Sequence, residues 1–418
     1  MKIENLRSAK KGNRTRVSAK VTWEDFERSP QEIYFETIGE FAVDISCNPH
    51  AFLVACTMPA MRFGEKRISI DAEICPELQE GLITAMKLIC NWFDWYKPES
   101  GSVRIEAKQQ KHVLFPSKTP RAGFLFSGGI DSLSTLRWNR LHYGVEHPSF
   151  IKDGLLIYGL EVTEINNFEQ VLKSVSILAQ DTGVTLIPVY TNIIDLGPED
   201  LDIFWKDFWS NEFMGATFSA VAHTFSRRLS SLSINSCHDI PNLIPYGSHP
   251  LLNPNFSSSD LKIRHEGIHL SRFDKTKLIS DWDLALQHLR VCNQTEYYTD
   301  KRLNCGVCEK CVRTMLALVG AEALNKTNAF PVNDVSPELV DKAVHLKENT
   351  FPLYGELLAP LAKVGRHDLV HAVELKIAEF YHEQKKQEFR KKIDPIVEFD
   401  RKYLKGSLKK VKNSVFDK

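Results

Sequence analysis

Two groups of residues in this chain have the types and spacing to do chemistry. In the first, the apolar run Phe124-Leu125-Phe126 ends at Ser127-Gly128-Gly129-Ile130-Asp131-Ser132, and a helical pattern over Ser132–Arg140 follows. Consecutive glycines let the backbone turn sharply, and without side chains they leave its N–H groups open to a ligand. Amides at the start of a helix make a site for an anionic phosphate group, and Ser127 and Ser132 add hydroxyl donors. Asp131 suits the Mg2+ that accompanies such a group, because that ion takes carboxylate oxygens. No Gly-Lys-Ser/Thr follows at the spacing of the common NTPase loop. The plain alternative is an ordinary strand–turn–helix junction that contains Gly-Gly.

The second group is Cys305-Gly306-Val307-Cys308-Glu309-Lys310-Cys311, with Cys292 a short loop upstream. Zinc in structural sites takes four tetrahedral nitrogen or sulfur ligands, and two-residue spacers let neighbouring thiolates converge on one ion. Gly306 supplies the tight turn in the first pair. Cys292 is the expected fourth ligand, with His288 as the substitute. Three cysteines packed as small apolar residues, or one Cys-x-x-Cys pair acting in redox chemistry, are the alternatives. With thiolates in every coordination position, the zinc is expected to be structural and to take no part in catalysis.

The elements that must position these groups are legible as patterns. Residues 1–117 carry strand-like runs at Arg16–Trp23, Glu32–Thr37, Phe52–Thr57, Arg67–Ile74 and Ser102–Ala107, and an amphipathic helix over Pro76–Trp95. They read as a separate, smaller α+β domain. A connector, Phe115-Pro116-Ser117-Lys118-Thr119-Pro120, leads into a segment where strand and helix alternate. There Leu155–Leu160, Val184–Tyr190 and Leu232–Ser236 read as strands, and Phe168–Asp181, closed by Gly183, and Asn211–Leu229 as helices. This alternation predicts an α/β fold with a parallel, doubly wound sheet over 121–325, whose ligands sit beyond the carboxyl ends of the strands. Residues 326–418 read as mostly helical and finish in a Lys-rich tail, Lys385–Lys418.

Ser127–Ser132 resembles the SGGxDS signature of the PP-loop ATP pyrophosphatases, which cleave ATP between the α and β phosphates and transfer AMP to an oxygen of their substrate. Asn304–Arg313 resembles the cysteine loop of the 7-cyano-7-deazaguanine synthases within that family. Arg272–Ile279 is similar to the family's lysine-led helix start, which implies that Lys275 reaches the ATP phosphates. The resemblance also implies that adenine lies near Tyr158-Gly159-Leu160-Glu161, with Tyr158 in the nucleotide site. His238–Pro254 stands where the family forms its base-binding loop, but its residues differ from the family's. The likeness covers residues 121 to about 320; the flanking regions resemble those of longer relatives in bacterial defence and specialised metabolism. The implied reaction is adenylation of a carboxylate, 7-carboxy-7-deazaguanine or a similar base, with ATP, Mg2+ and structural Zn2+. Attack by ammonia or a protein amine would then displace AMP to give an amide, with a protein partner supplying the amine or docking on residues 1–117. Where ammonia is the amine, a second ATP-dependent activation would dehydrate the amide to a nitrile.

Composition limits the partners. Fifty-three Lys and Arg balance 53 Asp and Glu, which argues against a protein built to coat nucleic acid. The start, Met1-Lys2-Ile3-Glu4-Asn5, has no apolar core of the signal-peptide kind, and nine cysteines with four clustered late fit a reducing compartment, so a cytoplasmic protein without membrane contact is expected. Two rival readings remain. A tRNA-modifying thiolase would use Cys237 as nucleophile and Lys385, Lys386, Arg390, Lys391 and Lys392 as RNA contacts. A non-catalytic module would hold a nucleotide without turnover.

Overall fold

The computed structural model describes residues 1–93, 103–115, 119–299 and 301–403, with side chains to 390. The chain divides into two compact units: Met1–Gly306 with Ala321–Asn333, and Val307–Gly320 with Asp334–Lys418.

The first unit is built on one ten-stranded, mostly parallel sheet. Its strands in chain order are β1 (Lys2–Lys11), β2 (Arg14–Thr22), β3 (Gln31–Ile38), β4 (Arg67–Ile74), β5 (Arg104–Gln109), β6 (Ala122–Leu125), β7 (Ile151–Tyr158), β8 (Thr185–Thr191), β9 (Ser231–Asn235) and β10 (Lys262–Glu266). Across the sheet they run β10-β9-β6-β7-β8-β3-β2-β1-β4-β5. The five from β10 to β8 are parallel, and β8 then pairs antiparallel with β3 through Phe35 to Thr37. Residues 1–117, expected as a separate α+β domain, thus continue the sheet of residues 121–325. The pattern within each segment does not reveal this, because pairing between distant strands leaves no mark on local periodicity.

Helices α1 (Pro49–Arg62), α2 (Pro76–Trp92), α3 (Ile130–His142), α4 (Ile165–Thr182), the single turn α5 (Leu201–Ile203), α6 (Met214–Thr224), α7 (Arg272–Ile279) and α8 (Asp283–Gln287) complete the unit. The expected strand Phe52–Thr57 is instead the middle of α1. Every residue from His50 to Met61 is buried, so the run is apolar on all sides, and periodicity cannot separate a buried strand from a buried helix. Asn48 decides the matter locally: its side chain accepts from the His50 N–H at 3.0 Å, with Pro49 as the first helical residue. The helix expected from Asn211 begins as a π-helix, Phe204–Phe213, and becomes α-helical only at Met214. Strands β1 and β10 escape the sequence reading because they carry little apolar alternation. Trp95, Ser102 and Pro116–Lys118, the ends of the expected helix and strand and the middle of the expected connector, lie outside the described residues, as does the tail beyond 403.

The second unit is helical: α9 (Glu309–Gly320), α10 (Pro337–Ala343), α11 (Phe351–Gly355), α12 (Leu358–Lys363) and α13 (His367–Tyr403). Tyr354 is fully buried there, and its hydroxyl donates to Glu309 at 3.0 Å.

Candidate functional site

The strand order reverses at β6, which has β7 on one side and β9 on the other. A reversal of this kind opens a crevice beyond the carboxyl ends of the strands. The Ser-Gly-Gly turn sits there, between the end of β6 and the start of α3. Gly128 has φ +76°, a conformation side chains oppose, and Gly129 is the N-cap of α3. No side chain caps α3, so its first amides stay open to a ligand. The Ser127 hydroxyl accepts from the Gly129 N–H at 3.3 Å, and the Ser132 hydroxyl donates to the Gly129 carbonyl at 3.0 Å. Ile130 is buried and anchors the first turn of α3.

Asp131 stands between two cations. One oxygen takes Arg272 Nη1 at 2.5 Å, and the other lies 3.4 Å from Lys275 Nζ. Burial alone would raise its pKa, but the charges of Arg272 and Lys275 outweigh burial and hold the carboxyl below its ordinary range. Both cations come from α7, which starts with a capping box: Ser271 accepts from the Asp274 N–H and Asp274 accepts in return. Lys275 is 1% exposed, so it is no solvated helix end. Its ammonium donates to the Ser236 carbonyl at 2.6 Å, just past β9. An ammonium has three donors, and Ser236 and Asp131 face two of them. A divalent cation arriving with phosphates would have to share Asp131 with Arg272 and Lys275.

The ends of the neighbouring strands close the crevice. Asn235 donates from its amide to the Leu125 carbonyl at 2.8 Å, tying β9 to β6, while its Oδ1 is buried without a partner. Tyr158, at the end of β7, packs edge-on against Phe168 and donates its hydroxyl to Thr163 at 2.5 Å. Beyond it, Glu161 accepts from Asn293 Nδ2 at 3.2 Å. Cys237 is half-buried directly after Ser236. Burial first, and the neighbouring Cys237 sulfur second, push the Tyr246 phenol far up and keep it protonated. His265, on β10, is driven down to about 3 by burial and by the surrounding His249, Lys275 and His238.

One residue that sequence reasoning passed over is Arg290. It is 7% exposed, its N–H donates to the Gly128 carbonyl at 2.9 Å, and its Nε donates to the Tyr298 hydroxyl at 2.7 Å. Its Nη2 is buried with no hydrogen-bond partner. Groups left in that state cost about 1–3 kcal/mol each. Arg272 is likewise a site residue to which the sequence assigns no role of its own. A single arginine, in a loop or at the start of a short helix, carries no periodic signal, and nothing in the sequence says that either faces the turn.

The four sulfurs of Cys292, Cys305, Cys308 and Cys311 lie within 4.8 Å of one another. Sulfurs around a tetrahedral zinc, each about 2.3 Å from the ion, are about 3.8 Å apart, so this group could hold such a metal with a small contraction. His288 does not substitute for Cys292, since its Nδ1 pairs with the Ser174 hydroxyl at 3.0 Å. Gly306 has φ +77°, and a Cβ there would come within 2.5 Å of Pro331. Asn304 is 3% exposed and clamps the loop. Its oxygen accepts from Val291 N–H at 2.8 Å and Cys292 N–H at 3.2 Å, and its amide donates to Leu289 at 2.7 Å and Ala329 at 3.0 Å.

No helix among the described residues is long and apolar enough to cross a membrane. Comparison with known proteins finds no matching family model, no matching curated protein and no matching solved structure.

Proposed function

We propose that this chain is a PP-loop-type ATP pyrophosphatase that adenylates a carboxylate and passes the acyl group to an amine. The observation that carries this reading is the open Ser-Gly-Gly turn at the reversal of strand order, with Asp131 held between Arg272 and Lys275. A carboxylate resists amines because its oxygen leaves poorly and its charge repels nucleophiles. Transfer of AMP turns that oxygen into a phosphate leaving group and releases pyrophosphate. The turn amides and the third donor of Lys275 would neutralise charge as the pyrophosphate departs, with Asp131 fixing the two α7 cations. Mg2+, when bound, supplies further charge to the phosphates. Zinc in the cysteine group would fix the loop that follows Arg290, and no step passes through it.

The substrate of this proposal is 7-carboxy-7-deazaguanine or a base like it, and the amine is ammonia or a protein amine. The deciding experiment follows AMP and pyrophosphate released from ATP with 7-carboxy-7-deazaguanine, with and without ammonium. Wild type should form AMP only when the base is present, and Asp131→Ala should lower the rate about 100-fold or more. Nitrile in the product would identify ammonia as the acceptor. AMP without nitrile would direct the search to a protein amine. No AMP under any condition overturns the reading. The placement of Cys237 one residue past the Ser236 carbonyl that holds Lys275 favours thiolase chemistry as the second reading; full activity in Cys237→Ala would remove it.

A further inference from the structure

We propose that Arg290 is an anion-binding residue of this site, with its Nη2 edge taking an oxygen of the phosphate chain held at the Ser-Gly-Gly turn. This rests on the ATP reading above and names a contact that reading did not contain. A guanidinium carries five N–H donors in a rigid fork and does not lose its charge. Nε is committed to Tyr298, and Nη1 reaches the Ser127 carbonyl at 3.5 Å. Nη2 is left without a hydrogen bond, with Glu161 Oε2 standing off at 4.0 Å. A buried donor of a charged group is costly to leave unmade, so a partner that arrives with the ligand accounts for its retention.

Its position is set by the turn itself. The Arg290 N–H binds the Gly128 carbonyl, and a Cβ built on Gly129 would lie 3.3 Å from the Arg290 carbonyl. The Arg290 backbone is therefore in contact with both glycines that make the anion cradle. Arg–phosphate contacts of this sort are charge-assisted and directional, which a lysine cannot fully reproduce. Tyr298 completes the anchoring, since its hydroxyl accepts from Arg290 and donates to the Cys292 carbonyl at 2.7 Å. Glu161 is then the carboxylate that holds the guanidinium at a distance until a phosphate replaces it.

The test is calorimetric binding of inorganic pyrophosphate with Mg2+ to the full-length, metal-loaded protein. Arg290→Met should bind about 10–100-fold more weakly than wild type, with unchanged metal content and melting temperature. Arg290→Lys should recover part of the loss. Glu161→Gln should bind at least as tightly as wild type, because the competing carboxylate is gone. If Arg290→Met does not fold, Arg290→Gln makes the same comparison with the stem and a neutral donor kept. Equal pyrophosphate binding in wild type and the neutral variant overturns the proposal while leaving the ATP reading intact. Loss of metal together with binding would make Arg290 a support of the cysteine loop and also overturns it. Failure of wild type to bind either pyrophosphate or ATP sinks the ATP reading and this inference with it.

Discussion

Asn304 shows how one side chain can shape a cysteine group that could hold a metal without belonging to it. Its amide makes four hydrogen bonds, and two of them fix the N–H groups of Val291 and Cys292. Those bonds decide where the first sulfur stands relative to the other three. Supporting residues of this kind typically carry 10–100-fold in metal affinity. Asn304→Ala should therefore weaken zinc binding by about that factor, as read by chelator competition, while Asn304→Asp, which keeps the acceptor, should lose less. Unchanged affinity in the alanine variant would mean that the loop holds its shape by other contacts. The cysteines themselves were legible in the sequence because their spacing is local. The choice between Cys292 and His288 was open there, and the fold decides it by giving His288 to Ser174. Arg272 and Arg290 were not legible as site residues. Each reaches the turn from a segment more than a hundred residues away, and no spacing rule spans that distance.

Among the elements, α1 combines the clearest misreading with a pH-dependent device. Its strand-like run of Phe52–Thr57 is helical because Asn48 and Pro49 start a helix, a signal that lies outside the apolar run. The same start buries His50, whose Nε2 accepts from the Cys75 N–H at 3.0 Å and whose ring meets His223 edge-on. Burial drives the His50 pKa down to about 4 from the ordinary 6.5. The unfolded chain takes up this proton as pH falls through 6.5, whereas the folded chain refuses it until about 4. Stability is thus fully present above 6.5 and falls with pH across that window, by about 1.4 kcal/mol per pH unit for each such imidazole. His265, lowered to about 3, acts in the same direction. Urea midpoints at pH 7, 6 and 5 should decline steadily, and His50→Asn should reduce the slope even though it lowers stability at pH 7. A slope unaltered by the substitution would show that His50 titrates normally. Where local patterns were strong, as in α2, α4, β7 and β8, sequence and structure agree in element type, and only their ends move.

At the scale of the whole molecule, the sheet of the first unit raises a question of cooperativity. Residues 1–117 and 121–325 meet at the β3–β8 pair, and the junction is more than a strand contact. Thr37 is fully buried and donates its hydroxyl to the Pro188 carbonyl at 2.8 Å, and Thr191 donates to the Tyr34 carbonyl at 2.7 Å. Asn192 accepts from the Tyr34 N–H at 2.9 Å and donates to the Glu32 carbonyl at 2.9 Å, extending the ladder past the end of β8. Glu36, 2% exposed on β3, is paired with both Arg14 and Arg16, and Arg14 in turn lies over the Tyr190 ring at 3.8 Å. The Thr37, Thr191 and Asn192 hydrogen bonds and the Arg14–Tyr190 contact hold only while β3 and β8 stay paired, so separating the strands costs all of them at once, while the Glu36 ion pairs stay within residues 1–117. The two segments should open as one cooperative unit. Hydrogen exchange of β2 and β7 should report the same opening free energy, and both should fall together by about 1 kcal/mol in Thr37→Val, which leaves the Pro188 carbonyl without its donor. Exchange of β2 through a markedly lower barrier, with β7 protection untouched by the substitution, would show instead that residues 1–117 behave as an independent domain and that the shared sheet is only a docking edge.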